Sequence, residues 1–446
     1  MKTVRIGCGA GFAGDRIEPA IELATKGDLD YLVFECLAER TIALAQQAKA
    51  RDPQLGYDFM LAARMEAVLP VCRERGTTII TNMGAANPSA GAEVVRRIAE
   101  RRGLKGLSIA AIVGDDVMGL IEDGDFTVME TGEPVRSLAD RLVSANAYIG
   151  ADPIVRALEQ KADVVIMGRA ADPSLFVGPL MHAHGQSLDD CDQVGRATLV
   201  GHLLECGGQV TGGYFADPGL KDVPGLDNLG FPLAEVPERG PLVITKVPGT
   251  GGVVTPATCK EQLLYEIHDP AAYMTPDTIA DFSNVRVEAV GPDRVQVDGA
   301  TGGPRPDLLK VSLAYRDSFI GEGQISYAGA GAEERARLAA DIVVRRLARA
   351  GVHTSEIRCD LIGIDALHGS RLSRDHNRPY EVRLRVAARA NTLPDAQAVA
   401  NEVESLYTNG PAGGGGATRA TREVLSLAST FVPRHLVRCD VRMVVI

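Results

Sequence analysis

The first half of the chain alternates short apolar runs with longer stretches of helical periodicity. Flat runs rich in β-branched residues predict buried strands at 4–7, 31–34, 78–81, 108–113 and 164–167. After each run, apolar residues recur every three or four positions, which is the spacing of an amphipathic helix. Strands that alternate with helices predict a parallel sheet covered on both faces. Because five units are too few for an eightfold barrel, we expect an open, mostly parallel, Rossmann-like sheet.

The pattern changes after about residue 240. Closely spaced strands are predicted at 242–247, 285–290, 295–297 and 310–315, and helices at 333–350 and 395–406. Strands that run together, with helices kept apart, are typical of α+β domains. The Pro- and Gly-rich passage 217–241 forbids long regular elements. We therefore expect an α/β domain over 1–240, with its site at the strand ends, and an α+β domain over 241–446 with glycine-rich loops.

The first predicted strand leads into a glycine-rich loop, GCGAGFAGD at 7–15. Gly9, Gly11 and Gly14 match the G-x-G-x-x-G spacing of dinucleotide-binding loops. Asp15 follows directly, and its carboxylate at a helix start would repel a pyrophosphate. Three interpretations stay open: a nicotinamide or flavin loop, a site where Asp15 and Arg16 contact a different anion or polyol, and a tight turn without a ligand.

Polar side chains follow four of the predicted strands where each one ends. In an open α/β sheet, ligands lie beyond the carboxyl ends of the strands, so we expect these side chains to meet in one pocket. They are Glu35, Asn82, Asn87, Asp115, Asp116, Arg169 and Asp172. In this hypothesis Asp115 or Asp116 transfers a proton, and Arg169 and Asn82 hold a substrate carboxylate. The same carboxylates would also suit a divalent metal.

Three further segments carry candidate chemistry. His202 and Glu205 lie three residues apart on one predicted helical face, where they would form an acid–base pair or half of a metal site. A glycine-rich turn follows Lys246, and its backbone amides would hold an anion; its residues are Gly249, Thr250, Gly251 and Gly252. A second glycine run would bring backbone close to a ligand or form a flexible hinge; its residues are Asn409, Gly413, Gly414 and Gly415.

Composition and charge narrow the class of protein. The net charge of −11 opposes binding to nucleic acid, and no apolar run is long enough to cross a bilayer. Met1 leads directly into the first strand, so we expect no cleavable leader and a cytoplasmic location. The eight cysteines form no Cys-x-x-Cys pair, so we expect free thiols. We expect a homo-oligomer that binds a small anionic substrate.

Several segments together resemble the acyclic terpene utilisation (AtuA-like) family, long catalogued as a domain of unknown function. They are GDLDYLVFECLAE at 27–39, ITNMGAANP at 80–88, ANAYIGADPIVRAL at 145–158, ADVVIMGRAADPSL at 162–175, GHLLECGGQVTGGYFADPG at 201–219, the stretch 244–273 beginning ITKVPGTGGVV, and YTNGPAGGGG at 407–416. The resemblance implies a role beside enzymes that degrade branched acyl-CoA thioesters. It also implies a small ferredoxin-like partner subunit, since some members carry such a domain fused or separate.

The leading functional hypothesis is an enzyme of the lyase or hydratase kind, acting on a small carboxylic acid or its CoA thioester. It rests on carboxylates and amides at the sheet edge, without a nucleophile-elbow serine. Two alternatives stay open: a non-catalytic scaffold or ligand-binding subunit of an acyl-CoA-degrading complex, and an NAD(P)-dependent oxidoreductase.

Overall fold

A computed structural model describes residues 2–373 and 379–446 of the chain. The helices are α1 (Glu18–Lys26), α2 (Glu39–Arg51), α3 (Leu61–Arg75), α4 (Pro88–Arg101), α5 (Met118–Asp123), α6 (Asp152–Glu159), α7 (Ser174–His184), α8 (Cys191–Leu204), α9 (Pro256–Leu264), α10 (Ala332–Arg349), α11 (Gly369–Leu372), α12 (Leu393–Glu404) and α13 (Leu406–Asn409). The first nine strands are β1 (Thr3–Ala10), β2 (Tyr31–Phe34), β3 (Thr78–Thr81), β4 (Ser108–Val113), β5 (Leu142–Ala147), β6 (Val164–Met167), β7 (Pro232–Pro237), β8 (Leu242–Lys246) and β9 (Tyr273–Met274). The remaining strands are β10 (Ile279–Asp281), β11 (Arg286–Gly291), β12 (Arg294–Asp298), β13 (Thr301–Gly302), β14 (Leu308–Ala328), β15 (Glu356–Ile362), β16 (Glu381–Ala390), β17 (Gly415–Pro433) and β18 (Asp440–Val445).

Five parallel strands form the middle of the largest sheet. Strands β1, β2, β3, β6 and β4 are neighbours in that order, and every adjacent pair among them is parallel. They are the five strands predicted from the apolar runs, and β2 and β3 are buried along almost their whole length. The predicted α/β character and the open parallel sheet are confirmed.

Antiparallel strands extend this sheet on both sides. Its full order is β11-β12-β8-β7-β1-β2-β3-β6-β4-β18, and β7 pairs with β1 on one side while β18 pairs with β4 on the other. Strands β7 and β8, which flank residue 240, pair with each other. A domain boundary at residue 240 is therefore not confirmed.

The strand order differs from that of dinucleotide-binding folds. In those folds the first strand lies mid-sheet between parallel neighbours, and the ligand binds where the order reverses. Here β1 is the last strand of the parallel block, because its second neighbour is the antiparallel β7. The neighbours of β1 therefore differ from those of the first strand in dinucleotide-binding folds.

The chain forms two compact units, Met1–Ala314 with Leu427–Ile446, and Tyr315–Ser426. In the first unit, α1, α3 and α4 pack their apolar faces on the sheet through Leu23, Leu69 and Val95. A smaller three-stranded sheet has the order β13-β10-β9. None of the described helices is long and apolar enough to cross a membrane.

The second unit has its own sheet and core. Its strands have the order β15-β16-β14-β17, and α10 and α12 bury Val343 and Val399 against Leu384 of that sheet. Along the chain the elements run β-α-β-β-α-β apart from the short α11 and α13, which is the ferredoxin-like arrangement. An arrangement that the family resemblance led us to expect in a separate subunit thus occurs within this chain.

Candidate functional site

A cavity of about 1120 Å³ opens beyond the carboxyl ends of β1, β2 and β6. All of its walls come from the first compact unit. Glu35 follows β2 directly and Arg169 lies two residues after β6, so the ends of two strands aim both side chains at the same space. The volume slightly exceeds the usual range of about 300–1,000 Å³ for small-molecule sites.

Some of the side chains at the strand ends contact one another. The Asn82 amide nitrogen donates to Glu35 Oε1 over 2.9 Å, and the Asn82 carbonyl oxygen accepts from the Cys36 amide over 2.7 Å. The backbone amide of Arg169 donates to Asp115 Oδ2, also over 2.9 Å. These hydrogen bonds join the ends of β2 and β3 in one pair and the ends of β4 and β6 in another. Glu35 and Arg169 line the cavity, whereas Asn82 and Asp115 do not.

Arg169 is a deeply buried cation that lines the cavity. The residue is only 2% exposed, and its Nη2 donates to Asp172 Oδ1 over 2.7 Å. Within the described residues, Nε and Nη1 have no hydrogen-bond partner. Burial would lower the Arg169 pKa, but the surrounding carboxylates outweigh burial and raise it. A permanently charged group with two unused buried donors favours a carboxylate ligand.

Glu35 is held in a state suited to proton transfer. It is 8% exposed and accepts hydrogen bonds from Asn82 and from the Leu37 amide, both on Oε1. Burial, reinforced by the charge of Asp172, raises the pKa of Glu35 to about 8, although Arg169 opposes that shift. A carboxyl with this pKa exchanges protons near neutral pH.

Glu39 has the opposite character on the neighbouring wall. Burial opposes its ionisation, but Arg169 and a hydrogen bond from the Tyr148 hydroxyl together lower its pKa to about 2. Two cations lie over the Tyr148 ring. Arg169 Cζ is 4.1 Å and Lys310 Nζ is 4.9 Å from the ring centre. Glu39 therefore stays a fixed negative charge that holds Tyr148 and Lys310 in place, while Glu35 titrates.

His202 and Glu205 form a second acid–base pair at the end of α8. His202 Nδ1 lies 3.1 Å from Glu205 Oε1, and His202 Nε2 lies 3.2 Å from the Leu263 carbonyl oxygen. A carbonyl only accepts, so Nε2 carries a proton, and one further proton must lie between Nδ1 and Oε1. Glu205 is thus either a protonated acid beside neutral histidine or a carboxylate beside imidazolium.

The second carboxyl oxygen of Glu205, Oε2, takes no part in the contact with His202. In the part of the chain that the structure describes, Oε2 has no partner, and the residue lines the cavity while only 8% exposed. Burial raises the Glu205 pKa to about 7 against the lowering effect of His202. Glu205 is consequently a second group that can give or take a proton near neutral pH.

The glycine-rich loop after β1 forms one wall of the cavity without offering a phosphate cradle. The Asp15 carboxylate accepts from the Gly11 amide over 2.9 Å, so the first loop amide is already used. Arg64 Nη2 donates to the carbonyls of Phe12, Ala13 and Asp15 over 3.0 to 3.3 Å. A Cβ on Gly11 would lie 2.7 Å from the Gly207 nitrogen. The glycine thus serves a close approach of two backbones, which favours the tight-turn interpretation over a dinucleotide loop.

We expect Gly11→Ala to lower the free energy of unfolding by about 1–3 kcal/mol, because the added methyl meets rigid backbone. Gly119→Ala is the control, since a Cβ there meets nothing within 4 Å. It lies in the helix α5, so that change should be neutral or slightly stabilising. Urea unfolding of both variants checks the prediction, and equal stabilities would show that Gly11 has no packing role.

The two aspartates chosen as proton donors do not line the cavity. Asp115 accepts from the Asn146 amide over 2.9 Å, and burial raises its pKa to about 6. Asp116 points elsewhere and accepts from Gln46 Nε2 over 3.0 Å. Asp115 therefore contacts the backbone of Arg169 and not the cavity, and Asp116 lies at the surface.

Other sequence candidates have structural partners instead of a place in the cavity. Asn87 caps α4 by accepting from the Ala90 amide. Lys246 donates to the Thr250 carbonyl over 2.8 Å, and its ammonium pairs at 3.2 Å with Asp293, which lies between β11 and β12. Gly251 and Gly252 pack closely against the segment around residues 225–230, part of which lines the cavity, whereas a Cβ on Gly249 would meet nothing within 4 Å.

The glycine run at 413–416 belongs to the second compact unit. Asn409 donates to the Ser405 carbonyl within its own helical turn. Gly413 has a φ of 74° and Gly414 packs beside Ile325 and Tyr327. The expected roles of Asn409, Gly413, Gly414 and Gly415 in substrate binding stay predictions.

The side chains around the cavity are not arranged for a metal. Among residues 2–373 and 379–446, no group of three or more His, Cys, Asp or Glu side chains is placed to hold a metal ion. The His202–Glu205 pair is occupied internally and by the Leu263 carbonyl. Proton transfer by carboxyl groups is the chemistry that this geometry supports.

Comparison with known proteins bears on the whole chain. The sequence pattern of the family described as "Acyclic terpene utilisation family protein AtuA" matches residues 4–443. The chain belongs to this family. Membership in the AtuA family implies a role in the catabolism of acyclic terpenes. No curated protein and no solved structure matches the chain closely enough to add a further relative.

Several residues that line the cavity of this AtuA family member were not predicted from the sequence. They are Glu39, Tyr148, Tyr265, Glu266, Tyr273 and Lys310. Glu39, Tyr148 and Tyr273 lie inside segments that carry the family resemblance, which was the available signal. No sequence pattern indicates that Lys310, on β14, pairs with Glu39; the distance between Lys310 Nζ and Glu39 Oε1 is 3.5 Å.

We expect the protein to lose stability as the pH rises from about 4.5 to 8. Burial raises the pKa values of Glu35, Glu205 and Asp115, so the folded state binds more protons than the unfolded state across this window. Stability then falls with pH, by at most about 1.4 kcal/mol per pH unit for each group. Urea unfolding from pH 4.5 to 8 measures the slope. Glu35→Gln should make it shallower, and an identical slope in the variant would contradict the raised pKa.

Proposed function

We propose that the protein is an enzyme of the lyase or hydratase kind that acts on a small carboxylic acid or its CoA thioester. The observation that carries the proposal is the composition of one cavity. Arg169 offers two unused buried donors, and Glu35 and Glu205 each exchange protons near neutral pH beside it. An anion-binding group flanked by two titrating carboxyls is the arrangement that acid–base catalysis on a carboxylate requires.

The residues suit the addition of water to a carbon–carbon double bond conjugated with a carboxyl group. One carboxylate takes a proton from water as its oxygen bonds to the β-carbon, and the other carboxyl donates a proton to the α-carbon. Elimination runs through the same steps in reverse. Arg169 stabilises the negative charge that develops on the substrate oxygens. The sum is one water added or removed, so no oxidant or reductant is consumed.

Glu35 and Glu205 would share the two proton-transfer roles. Burial raises the pKa of Glu35 to about 8 and that of Glu205 to about 7. One carboxyl is then protonated while the other is ionised in a large share of molecules. His202 would act as a positioning residue, because its Nδ1 holds the Glu205 carboxyl. Glu39 would stay ionised and hold Lys310 and Tyr148.

The proposal accords with the place of the AtuA family in acyclic terpene catabolism. The cavity also carries apolar side chains able to contact a hydrocarbon chain, such as Leu229, Phe231 and Phe431. A branched apolar acid would place its carboxyl at Arg169 and its chain against these residues.

Incubation in ¹⁸O-labelled water tests this function. The protein should convert a branched unsaturated acid, or its thioester, into a product heavier by one labelled water. Binding without conversion would refute an enzymatic role and support a non-catalytic ligand-binding subunit. Stabilisation by NAD(P), together with its reduction, would support the oxidoreductase instead.

A further inference from the structure

The cavity is apolar where it meets solvent. Five large apolar side chains that line it are exposed to solvent, a grouping that is typical of a ligand entrance. They are Phe12 (59% exposed), Tyr214 (93%), Leu226 (39%), Met274 (59%) and Leu308 (48%). We call these five residues the apolar rim.

Tyr214 shows that the rim is held in a specific conformation. Its φ is 62°, in the left-handed region that an aromatic residue seldom adopts. Such strain persists only where neighbouring structure imposes it, and it occurs often at ligand sites. Gly213 lies beside it, and a Cβ there would meet the Gly208 carbonyl oxygen at 2.8 Å. The tight backbone at 208–213 thus fixes the backbone of Tyr214 at the mouth, where its side chain is exposed.

Charges at the mouth are few and of opposite sign. Arg16 and Glu266 are the charged residues among the described lining residues that are exposed. The Arg16 guanidinium donates to the Leu226 carbonyl over 3.1 Å, so it already has a partner in the rim. The mouth offers no cluster of cations for a polyphosphate.

The buried part of the cavity is polar and charged, in contrast to the apolar rim. Arg169, Glu35, Glu205 and His202 are between 1% and 8% exposed, and all of them line the cavity. Two buried donors of Arg169 and one buried oxygen of Glu205 lack partners in the described part of the chain. The groups that would bind a charged head therefore lie farthest from solvent.

We infer that the cavity takes a free branched or linear carboxylic acid head first, with its apolar chain leaving through the rim, and that it does not take the CoA thioester. This rests on the proposed function of the same site. An acyl-CoA would enter with its apolar acyl chain first and leave its pantetheine and multiply charged nucleotide at the mouth. That orientation needs an apolar floor and a cationic entrance, which is the opposite of what this cavity has.

The charges inside the cavity also favour a free carboxylic acid over a CoA thioester. Lys310 is paired with Glu39, and Arg169 with Asp172, so each of these cations faces a carboxylate. One further anion is accommodated by the unused Arg169 donors. A ligand with several phosphate charges would meet an excess of carboxylates, whereas a monocarboxylate meets one matched guanidinium.

Calorimetric titration of the whole protein with three probes of equal chain length tests the inference. The probes are a ten-carbon branched unsaturated acid, the corresponding alcohol and the corresponding CoA thioester. The acid should bind about 10- to 100-fold more tightly than the alcohol, the difference that a charged hydrogen bond supplies. The thioester should bind at least about 10-fold more weakly than the acid.

Substitutions in the apolar rim test where the hydrocarbon chain of the acid binds, separately from its carboxylate. Tyr214→Ala and Met274→Ser should each weaken binding of the ten-carbon acid by about 3- to 10-fold, through loss of apolar contact. They should leave binding of a four-carbon acid unchanged. Leu220→Ser is the control, because Leu220 is 83% exposed and does not line the cavity.

The outcomes separate this inference from the proposed function. Tighter binding or turnover of the thioester would overturn the inference and leave the enzymatic proposal intact. Tight binding of the acid without turnover would overturn the enzymatic proposal and support the inference. Rim variants that behave like Leu220→Ser at every chain length would overturn the orientation of the chain.

Discussion

Replacing Glu35 with Gln is expected to lower kcat by about 10²- to 10⁴-fold, the usual contribution of a general acid or base. Both hydrogen bonds to this side chain, from Asn82 and from the Leu37 amide, end on Oε1. A glutamine keeps that oxygen as an acceptor and loses only the ability to titrate. The fold should therefore survive while proton transfer fails. Steady-state kinetics on the acid that binds best, with circular dichroism of the variant, measures both.

Glu266→Gln is the matched control for this experiment. Glu266 also lines the cavity, but it is exposed and lies at the mouth. Its replacement should change kcat by less than about threefold, as expected for a screened surface charge. Equal losses in the two variants would mean that general electrostatics, and not proton transfer at Glu35, govern turnover.

Replacing Arg64 with Met is expected to lower the free energy of unfolding by about 3–5 kcal/mol, the cost of breaking a buried charged network. Arg64 lies on α3 and is 0% exposed. Its Nη2 serves the carbonyls of residues 12, 13 and 15, and its Nη1 lies 3.7 Å from Asp58 Oδ1. Methionine fills similar space but can neither donate to these carbonyls nor pair with the Asp58 carboxylate. Urea unfolding measures the loss.

Arg73→Met on the same helix provides the comparison. Arg73 pairs with Asp163 at 3.0 Å, with both side chains about one-third exposed. A surface ion pair of this kind contributes about 0–1 kcal/mol, so the variant should stay close to the parent protein. If Arg64→Met were equally mild, the Arg64 guanidinium would not hold the cavity loop.

Local pattern was sufficient to predict the parallel strands but not their neighbours. Residues 31–34, 78–81, 108–113 and 164–167 are short runs of mostly apolar and β-branched residues, and the structure has strands with these limits. Buried parallel strands carry this signal in themselves. The pairing of β7 with β1 and of β18 with β4 joins residues far apart in the chain, and no local pattern contains it. The predicted domain boundary depended on that missing information.

The candidate site was predictable in its parallel part and not in its remainder. Glu35 and Arg169 follow strands whose carboxyl ends share an edge, so their convergence follows from topology. Asp115 and Asp116 also follow such a strand, but side-chain direction decides which residue faces the cavity and which faces the Arg169 backbone or Gln46. Tyr148, Tyr273 and Lys310 reach the cavity from elements outside the parallel block, which only the tertiary structure reveals.

The most direct test of the account is a crystal structure of the protein with a bound ten-carbon branched carboxylic acid. The account predicts the carboxylate of the acid against Arg169 Nε or Nη1, one of its carbons within reach of Glu35 and Glu205, and its chain passing Tyr214 and Met274. A carboxylate bound elsewhere, with Arg169 untouched, would contradict it.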